Sequence, residues 1–246
     1  MVRCFSTRLR HGTLHDAAYH PDTLLYMPSF VLERRLLRSY GRILAVDEVG
    51  RGAAAGPCSV GVVLLERSHP SPPVGLDDSK KLSPVRRTSL LPQITTWAST
   101  QVGHATAREI DDLGISLALT LAFRRAYAAL VPSPSALDDL LVLLDGSYDW
   151  VNLPSNKEDL PADLVPSPRL EVRTVVRGDS AHASLAAASI VAKCTRDSMM
   201  DALHETDPRY LWNKNKGYLS PAHLLAVSTY GLSDHHRRSW SYPAPK

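Results

Sequence analysis

The stretch "ILAVDEVGRGAAAGP", residues 43–57, decides how the chain is built. Its apolar run reads as a buried strand that ends on two adjacent carboxylates, Asp47 and Glu48. Charged side chains are seldom buried unless they are paired or bind metal, so two like charges at the end of a core strand need a reason. The residues that follow narrow the options. "GRGAAA" satisfies the loose G-x-G-x-x-G/A pattern of a dinucleotide-binding turn, but that turn must open a helix. Here Pro57 and the β-branched run "CSVGVVLLE" follow, which is strand chemistry. The next acid, Glu66, also comes too early to meet a ribose. No Gly-Lys-Ser/Thr is present, which excludes a phosphate-cradling P-loop. The stretch therefore predicts two strands joined by a bend whose glycines let the backbone approach a ligand closely.

Working outward, "SFVLERRLLRSYG" (29–41) predicts a short helix with Phe30, Leu32, Leu36 and Leu37 on one side and Gly41 past its end. "SHPSPPVG" (68–75) is loop chemistry. Ser83 and Pro84 form an N-cap and first-turn proline, and Pro92 is expected to bend or break the helix they start. "STQVGHATA" (99–107) is a candidate strand and "SLALTLAFRRAYAAL" (116–130) a helix. "LLVLLDG" (140–146) is a buried strand ending on Asp145, and "RLEVRTVVRGD" (169–179) a strand ending on Asp179. Between them lies a long polar loop, "SYDWVNLPSNKEDLPADLVPSP" (147–168). "HASLAAASIVAKCTRDSMMDAL" (182–203) is a helix whose small residues allow close approach to a sheet, and "PAHLLAVSTYG" (221–231) a last helix before the basic "HHRRSW". This order of strands and helices gives an α/β fold, one sheet with helices packed on it.

The chain of 246 residues, 44% hydrophobic and 22% charged, suits one domain with a substantial core. Residues 1–28 show no periodicity and read as a flexible N-terminal tail, with residues 29–246 as the folded domain. A net charge of +3 permits a polyanionic partner without demanding one. The three cysteines, Cys4, Cys58 and Cys194, are odd in number and lack metal-site spacing, which points to a reducing, cytoplasmic setting. No apolar run approaches the roughly 18 residues of a membrane span.

Three predicted strands thus end at acids: Asp47 with Glu48, then Asp145, then Asp179. One aspartate at a strand end commonly begins a turn. Four acids at the ends of core strands fit the crevice where ligands bind in open α/β sheets. Clustered carboxylates raise one another's pKa, a cost that a divalent cation removes. Donors that are all oxygen favour Mg2+ or Mn2+, and two such ions about 4 Å apart serve phosphoryl transfer. The basic groups Lys80 and Lys81, Arg86 and Arg87, Lys214 and Lys216, and Arg237 and Arg238 are each ordinary solvated surface alone. Together, beside a metal site, they can neutralise phosphates along a duplex. Tyr218 can stack on a sugar, donate its hydroxyl, or belong to the core. His182, His223, His235 and His236 follow no metal-ligand spacing, and Ser189 reads as packing.

The motifs "VDEVGRGAAAGP", "LDDSKKLSP", "LLDGS", "VVRGDSAHASLAAASIVAKCTRD", "NKGY" and "HRRSW" occur in one order from about Leu32 to Trp240. In this the chain resembles type 2 ribonuclease H, the bacterial ribonuclease HII. The resemblance implies a ribonuclease H-like fold, a five-stranded mixed sheet flanked by helices with a helical C-terminal part. It implies an endonuclease that hydrolyses the RNA strand of RNA–DNA hybrids and cuts 5′ to single ribonucleotides embedded in duplex DNA, leaving 3′-hydroxyl and 5′-phosphate ends. Carried onto this chain, the four metal-binding acids are Asp47, Glu48, Asp145 and Asp179, with Mg2+ or Mn2+ in two positions. Gly50, Arg51 and Gly52 would read the ribose 2′-hydroxyl with help from Tyr218, and Lys80 and Lys81 would contact substrate. A monomer with no membrane partner is implied. The 34 positions between Asp145 and Asp179 (179 − 145) exceed the family's pattern, and the extra segment adds Asp149 near Asp145. From the residues alone, a non-catalytic nucleic-acid-binding module and a phosphoesterase for small phosphates stand as alternatives.

Overall fold

A computed structural model describes residues 28–131, 139–153 and 169–244. The helix around "VLERRLLRS" is α1 (Val31–Ser39), with Leu36 and Leu37 buried as its spacing predicts. The opening stretch forms β1 (Arg42–Val49) and β2 (Cys58–Glu66), paired antiparallel across the glycine bend. Helix α2 (Pro84–Trp97) begins as predicted, with the Ser83 hydroxyl accepting from the Arg86 N–H. It does not break at Pro92 but runs on to Trp97. Leu90 and Ile94, on either side of the proline, are fully buried and hold both halves against one core. That packing outweighs the one main-chain hydrogen bond a proline removes. Strand β3 (Ser99–Ala105) and helix α3 (Ala107–Leu113) follow. Helix α3 was not foreseen, although Thr106 and Glu109 form a full capping box before it.

Helix α4 (Ile115–Leu130) and strand β4 (Leu140–Asp145) fall where the apolar patterns put them. Strand β5 is shorter than expected, Glu171–Val175. Asp179 therefore does not end a strand. Arg177 turns the chain with a φ of 56°, and Asp179 sits in the one-turn helix α5 (Gly178–Ala181). The long helix α6 (Ala183–Thr206) follows, then a 3-10 turn (Pro208–Tyr210), α7 (Trp212–Asn215) and α8 (Pro221–Tyr230). The expected N-terminal tail lies outside the described residues except for Pro28, as do residues 132–138 and 154–168. Among the described residues no helix is long and apolar enough to cross a membrane.

The five strands form one mixed sheet in the order β3-β2-β1-β4-β5, with β1 parallel to β4 and β4 parallel to β5. Alternation along each strand divides the core between its faces. Ile43, Ala45, Val63, Leu65, Leu141 and Leu143 face α1, α2 and α6. Leu44, Val46, Val60, Val62, Val142 and Leu144 face α3 and α4. A smaller cluster of Ala55, Met200, Tyr210, Trp212 and Ala226 seats the C-terminal helices against the β1–β2 bend and the end of α6.

Two buried contacts tie α6 in place. The fully buried Glu33 of α1 accepts from the N–H and hydroxyl of Ser184, in the first turn of α6, at 2.9 and 2.8 Å. Gly61 of β2 lies under α6, where a Cβ would meet the Ala188 carbonyl at 2.5 Å. Beyond β4, Asp149 accepts from the N–H groups of Val151 and Asn152, so it caps a turn. The Asn152 amide in turn bonds both the N–H and the carbonyl of Leu170, at 3.0 Å each. Gly61→Ala should push α6 off the sheet and cost about 1–3 kcal/mol, the usual penalty of overpacking. Urea melts of the variant and the wild type test this.

Candidate active site

Sheet register creates the acid cluster. In the parallel β1–β4 pair, Val46 lies opposite Leu144, so the next rung sets Asp47 beside Asp145. Both belong to the set of residues that faces α6. Asp179 arrives from α5 on the same side. One carboxylate oxygen from each of Asp47, Asp145 and Asp179 lies within 4.8 Å of the others. Glu48, next along β1, is not one of this trio, but its charge acts on Asp47 and it feels Asp145. Its carboxylate is 3.7 Å from the Arg51 guanidinium.

Local hydrogen bonds orient the carboxylates. The Glu48 N–H donates to Asp47 Oδ1 at 2.9 Å and the Gly178 N–H to Asp145 Oδ1 at 2.7 Å. Burial drives the Asp47 carboxyl well above its usual range, and the charge of Glu48 adds to this. A hydrogen bond from Ser189 opposes the rise, while Asp145 and Asp179 reinforce it. Burial likewise raises Glu48, with Arg51 opposing and Asp145 adding. Ser189 is thus more than packing. It is buried on α6, and its hydroxyl also meets that of Ser79, from "LDDSKKLSP", at 2.8 Å.

Lys80 places its ammonium 3.3 Å from Asp179 and 3.9 Å from Asp78. Burial works to lower its pKa, but the charges of Asp179, Asp78 and Asp47 outweigh burial and raise it. Lys81 turns away to Asp77 at 3.2 Å. The other basic pairs do not all face solvent. Arg87 is 9% exposed and bonds the carbonyls of Ser79 and Leu82. Arg237 is 0% exposed. Neither can lie along a duplex, which corrects the reading of these groups as surface charge. Lys216 pairs with Asp201, and Arg238 lies 3.7 Å from Asp234.

The buried arginines build the loop beside the acids. Arg237 donates to the carbonyls of Gly50, Arg51 and Gly56, and Arg196 to those of Ala55, Pro57 and Lys216. Burial lowers the pKa of both, that of Arg237 to about 10. Gly50 has a φ of 79°, and a Cβ there would meet Arg196 Nε at 2.1 Å, so only glycine fits. With carbonyls drawn inward, the N–H groups of Arg51 and Gly52 donate to no main-chain acceptor among the described residues. Both residues are exposed.

Tyr218 stands next to this loop because the Gly217 carbonyl accepts from Ala54 and Ala55. Its side chain is exposed, with the Arg196 guanidinium 5.8 Å from the ring centre. Two buried histidines support it. The Ser233 N–H donates to His236 Nδ1, so His236 Nε2 carries the proton and donates to His223 Nε2 at 3.0 Å. His223 Nδ1 then donates to the Tyr218 carbonyl at 2.9 Å. Burial, with His223 next in weight, holds the His236 pKa down to about 4, so this relay is neutral.

A mixed five-stranded sheet with helices on both faces and carboxylates gathered at its strand ends defines the ribonuclease H-like class. The ribonuclease H2 from Pyrococcus horikoshii OT3 matches the fold with a TM-score of 0.60 at 23% identity, over 82% of this chain and 94% of that one. The Bst-RNase HIII crystallised in complex with Mn2+ gives 0.59 at 18% identity, over 84% and 70%. A family model described as Ribonuclease HII matches residues 44–242. The Ribonuclease HII of Ruegeria sp. (strain TM1040) is 43% identical over 203 residues, covering 82% of this chain and 79% of that protein. That of Wolbachia pipientis wMel is 39% identical over 215 residues, covering 87% and 96%. The chain belongs to the ribonuclease HII family and, as such, is a divalent-metal-dependent endoribonuclease acting on RNA–DNA hybrids.

The raised carboxyls carry a stability signature. Burial lifts Asp145 above its ordinary value of 3.8, with the Gly178 N–H opposing and Asp179 adding. A carboxyl raised on folding holds its proton more tightly in the folded state. Its contribution to stability therefore falls as pH climbs from the ordinary value through the raised one. Asp145→Asn keeps the acceptor for Gly178 and should melt roughly 2–4 °C above wild type in EDTA at about pH 7, as about 1 kcal/mol does in a chain of this size. The gap should close below about pH 4, where both forms are neutral. Mg2+ or Mn2+ should stabilise wild type more than the variant. Calorimetry across pH, with and without each ion, checks all three.

Proposed function

We propose that the enzyme cuts on the 5′ side of a single ribonucleotide embedded in duplex DNA, as well as within RNA–DNA hybrids, leaving 3′-hydroxyl and 5′-phosphate ends. The observation that carries this reading is the juxtaposition of the Asp47, Asp145 and Asp179 carboxylates with a loop whose N–H groups at Arg51 and Gly52 face outward. In this reading Asp47, Glu48, Asp145 and Asp179 hold two divalent ions. An all-carboxylate donor set suits Mg2+ or Mn2+. Bound there, such ions would activate a water and stabilise the departing 3′ oxygen.

The chain's own residues do the rest. Gly50, Arg51 and Gly52 offer a rigid main-chain surface to the ribose 2′-hydroxyl, the group that separates RNA from DNA. Tyr218 places its ring and hydroxyl against the same sugar. Lys80, already drawn to the acids, and Lys81, by exchanging Asp77 for phosphate, would neutralise the strand. Residues 29–246 act as one catalytic unit and as a monomer. The described cysteines, Cys58 and Cys194, are free thiols, in keeping with a cytoplasmic setting.

A labelled DNA duplex with one ribonucleotide should be cut once, 5′ to it, with Mg2+ or Mn2+ present. An all-DNA duplex and an EDTA control should stay intact. A folded protein that binds the duplex and never cuts it would support a binding module instead. Asp47→Asn should lower the rate by about three orders of magnitude while leaving duplex binding in place. Tyr218→Phe should slow cleavage at the lone ribonucleotide by about tenfold, the worth of one hydrogen bond. Single-turnover assays on both variants decide these roles, and an unchanged rate removes the residue from the site.

A further inference from the structure

Among the described residues, four non-glycine residues have a positive φ: Asp139, Arg177, Leu211 and Lys216. Such a conformation is strained for a side chain with a Cβ and persists where something offsets it. For three of the four the offset is visible. Aspartate tolerates the left-handed region, and the Asp139 carbonyl accepts from the Arg42 N–H at the start of β1. Leu211 leads into the buried Trp212. Lys216 pairs with Asp201, and its carbonyl accepts from Arg196. Arg177 leads likewise into the buried Gly178 and Asp179, but its own side chain takes no part in holding the turn. Its side chain is exposed and makes no ion pair or hydrogen bond among the described residues. Its carbonyl receives only the long contacts from Ser180, at 3.3 and 3.4 Å. Glycine would satisfy the same turn without strain.

Its position suggests what the side chain is for. Arg177 immediately precedes Gly178, which orients Asp145, and stands two residues before Asp179. Its Cα is therefore within about 7.6 Å of that of Asp179. In the free protein Lys80 is drawn onto the acids, while Arg177 beside them stays in solvent. We infer that Arg177 is a phosphate-binding residue, held on a strained turn so that its guanidinium engages a backbone phosphodiester next to the one hydrolysed. Arginine suits this task because its planar fork binds two phosphate oxygens at once. The inference rests on the proposed reading of the acid cluster as the cleavage site.

The test uses the full chain carrying Asp47→Asn, so that the duplex stays intact, with R177A, R177G and R177K added singly. Binding of the ribonucleotide-bearing duplex is measured across salt concentrations. R177A and R177G should each bind about fivefold more weakly at about 0.15 M salt, and the slope of log affinity against log salt should flatten by about 0.9, as loss of one phosphate contact requires. R177K should keep the slope. R177G should melt at or above the parent temperature, because glycine relieves the turn. Parental affinity and slope in R177A and R177G would overturn the inference, and so would a lower melting temperature in R177G, which would assign the side chain to the fold. If the unmutated enzyme leaves the ribonucleotide duplex uncut, the reading of the acid cluster falls and this inference falls with it. If that enzyme cuts and R177G binds like its parent, the inference alone falls.

Discussion

Two guanidinium groups inside the protein hold the loop beside the acid cluster together. Arg196 and Arg237 are fully buried, and the acceptors of their hydrogen bonds are main-chain carbonyls. A buried cation without hydrogen bonds would cost several kcal/mol. Here the carbonyls of residues 50, 51, 55, 56, 57 and 216 supply them, and each bond fixes the direction of a peptide plane. When the carbonyl of a peptide points inward, its N–H points out. The loop after β1 is thus shaped from behind, by arginines that arrive from α6 and from the segment after α8. The segment bearing Tyr218 is fastened to the same frame through Arg196 and His223. That loop is rigid because the charges that hold it are internal.

The acid side works in the opposite sense. Asp47, Glu48 and Asp145 are all raised by burial, and the charges of neighbouring acids add to the rise. Lys80 and Ser189 relieve part of that. The remainder is a standing preference for a cation, built from sheet register and maintained against local stability. Fold stability and function pull apart at the ends of β1 and β4, as they commonly do where binding groups are assembled before their ligand arrives.

Much of this was legible in the sequence because the signals are local. The β-branched runs after Gly41 and Pro57, the Ser83 cap and the acids closing β1 and β4 depend on near neighbours. Several departures were set by distant contacts. Pro92 passes through α2 because Leu90 and Ile94 are buried against other elements. Asp179 fell past the strand end because Arg177 reverses the chain. Arg237 and Arg238 are adjacent and chemically identical, yet one is interior and the other exposed. Ser189 gave one usable hint, as a hydroxyl in a run of alanine and isoleucine, with Arg196 seven residues on along the same helix.

The side-chain amide of Asn152 has a further consequence. By bonding both main-chain groups of Leu170, it closes the base of everything between them. The entropy of joining two fixed ends rises only with the logarithm of the length between them. A segment clipped at its root can therefore lengthen, shorten or be exchanged with little effect on the sheet. The same clip makes that position a natural port for a grafted module, such as a fluorophore-binding peptide or a small tethering domain. Cargo added there would be carried by the enzyme without loading the strand on which Asp145 stands.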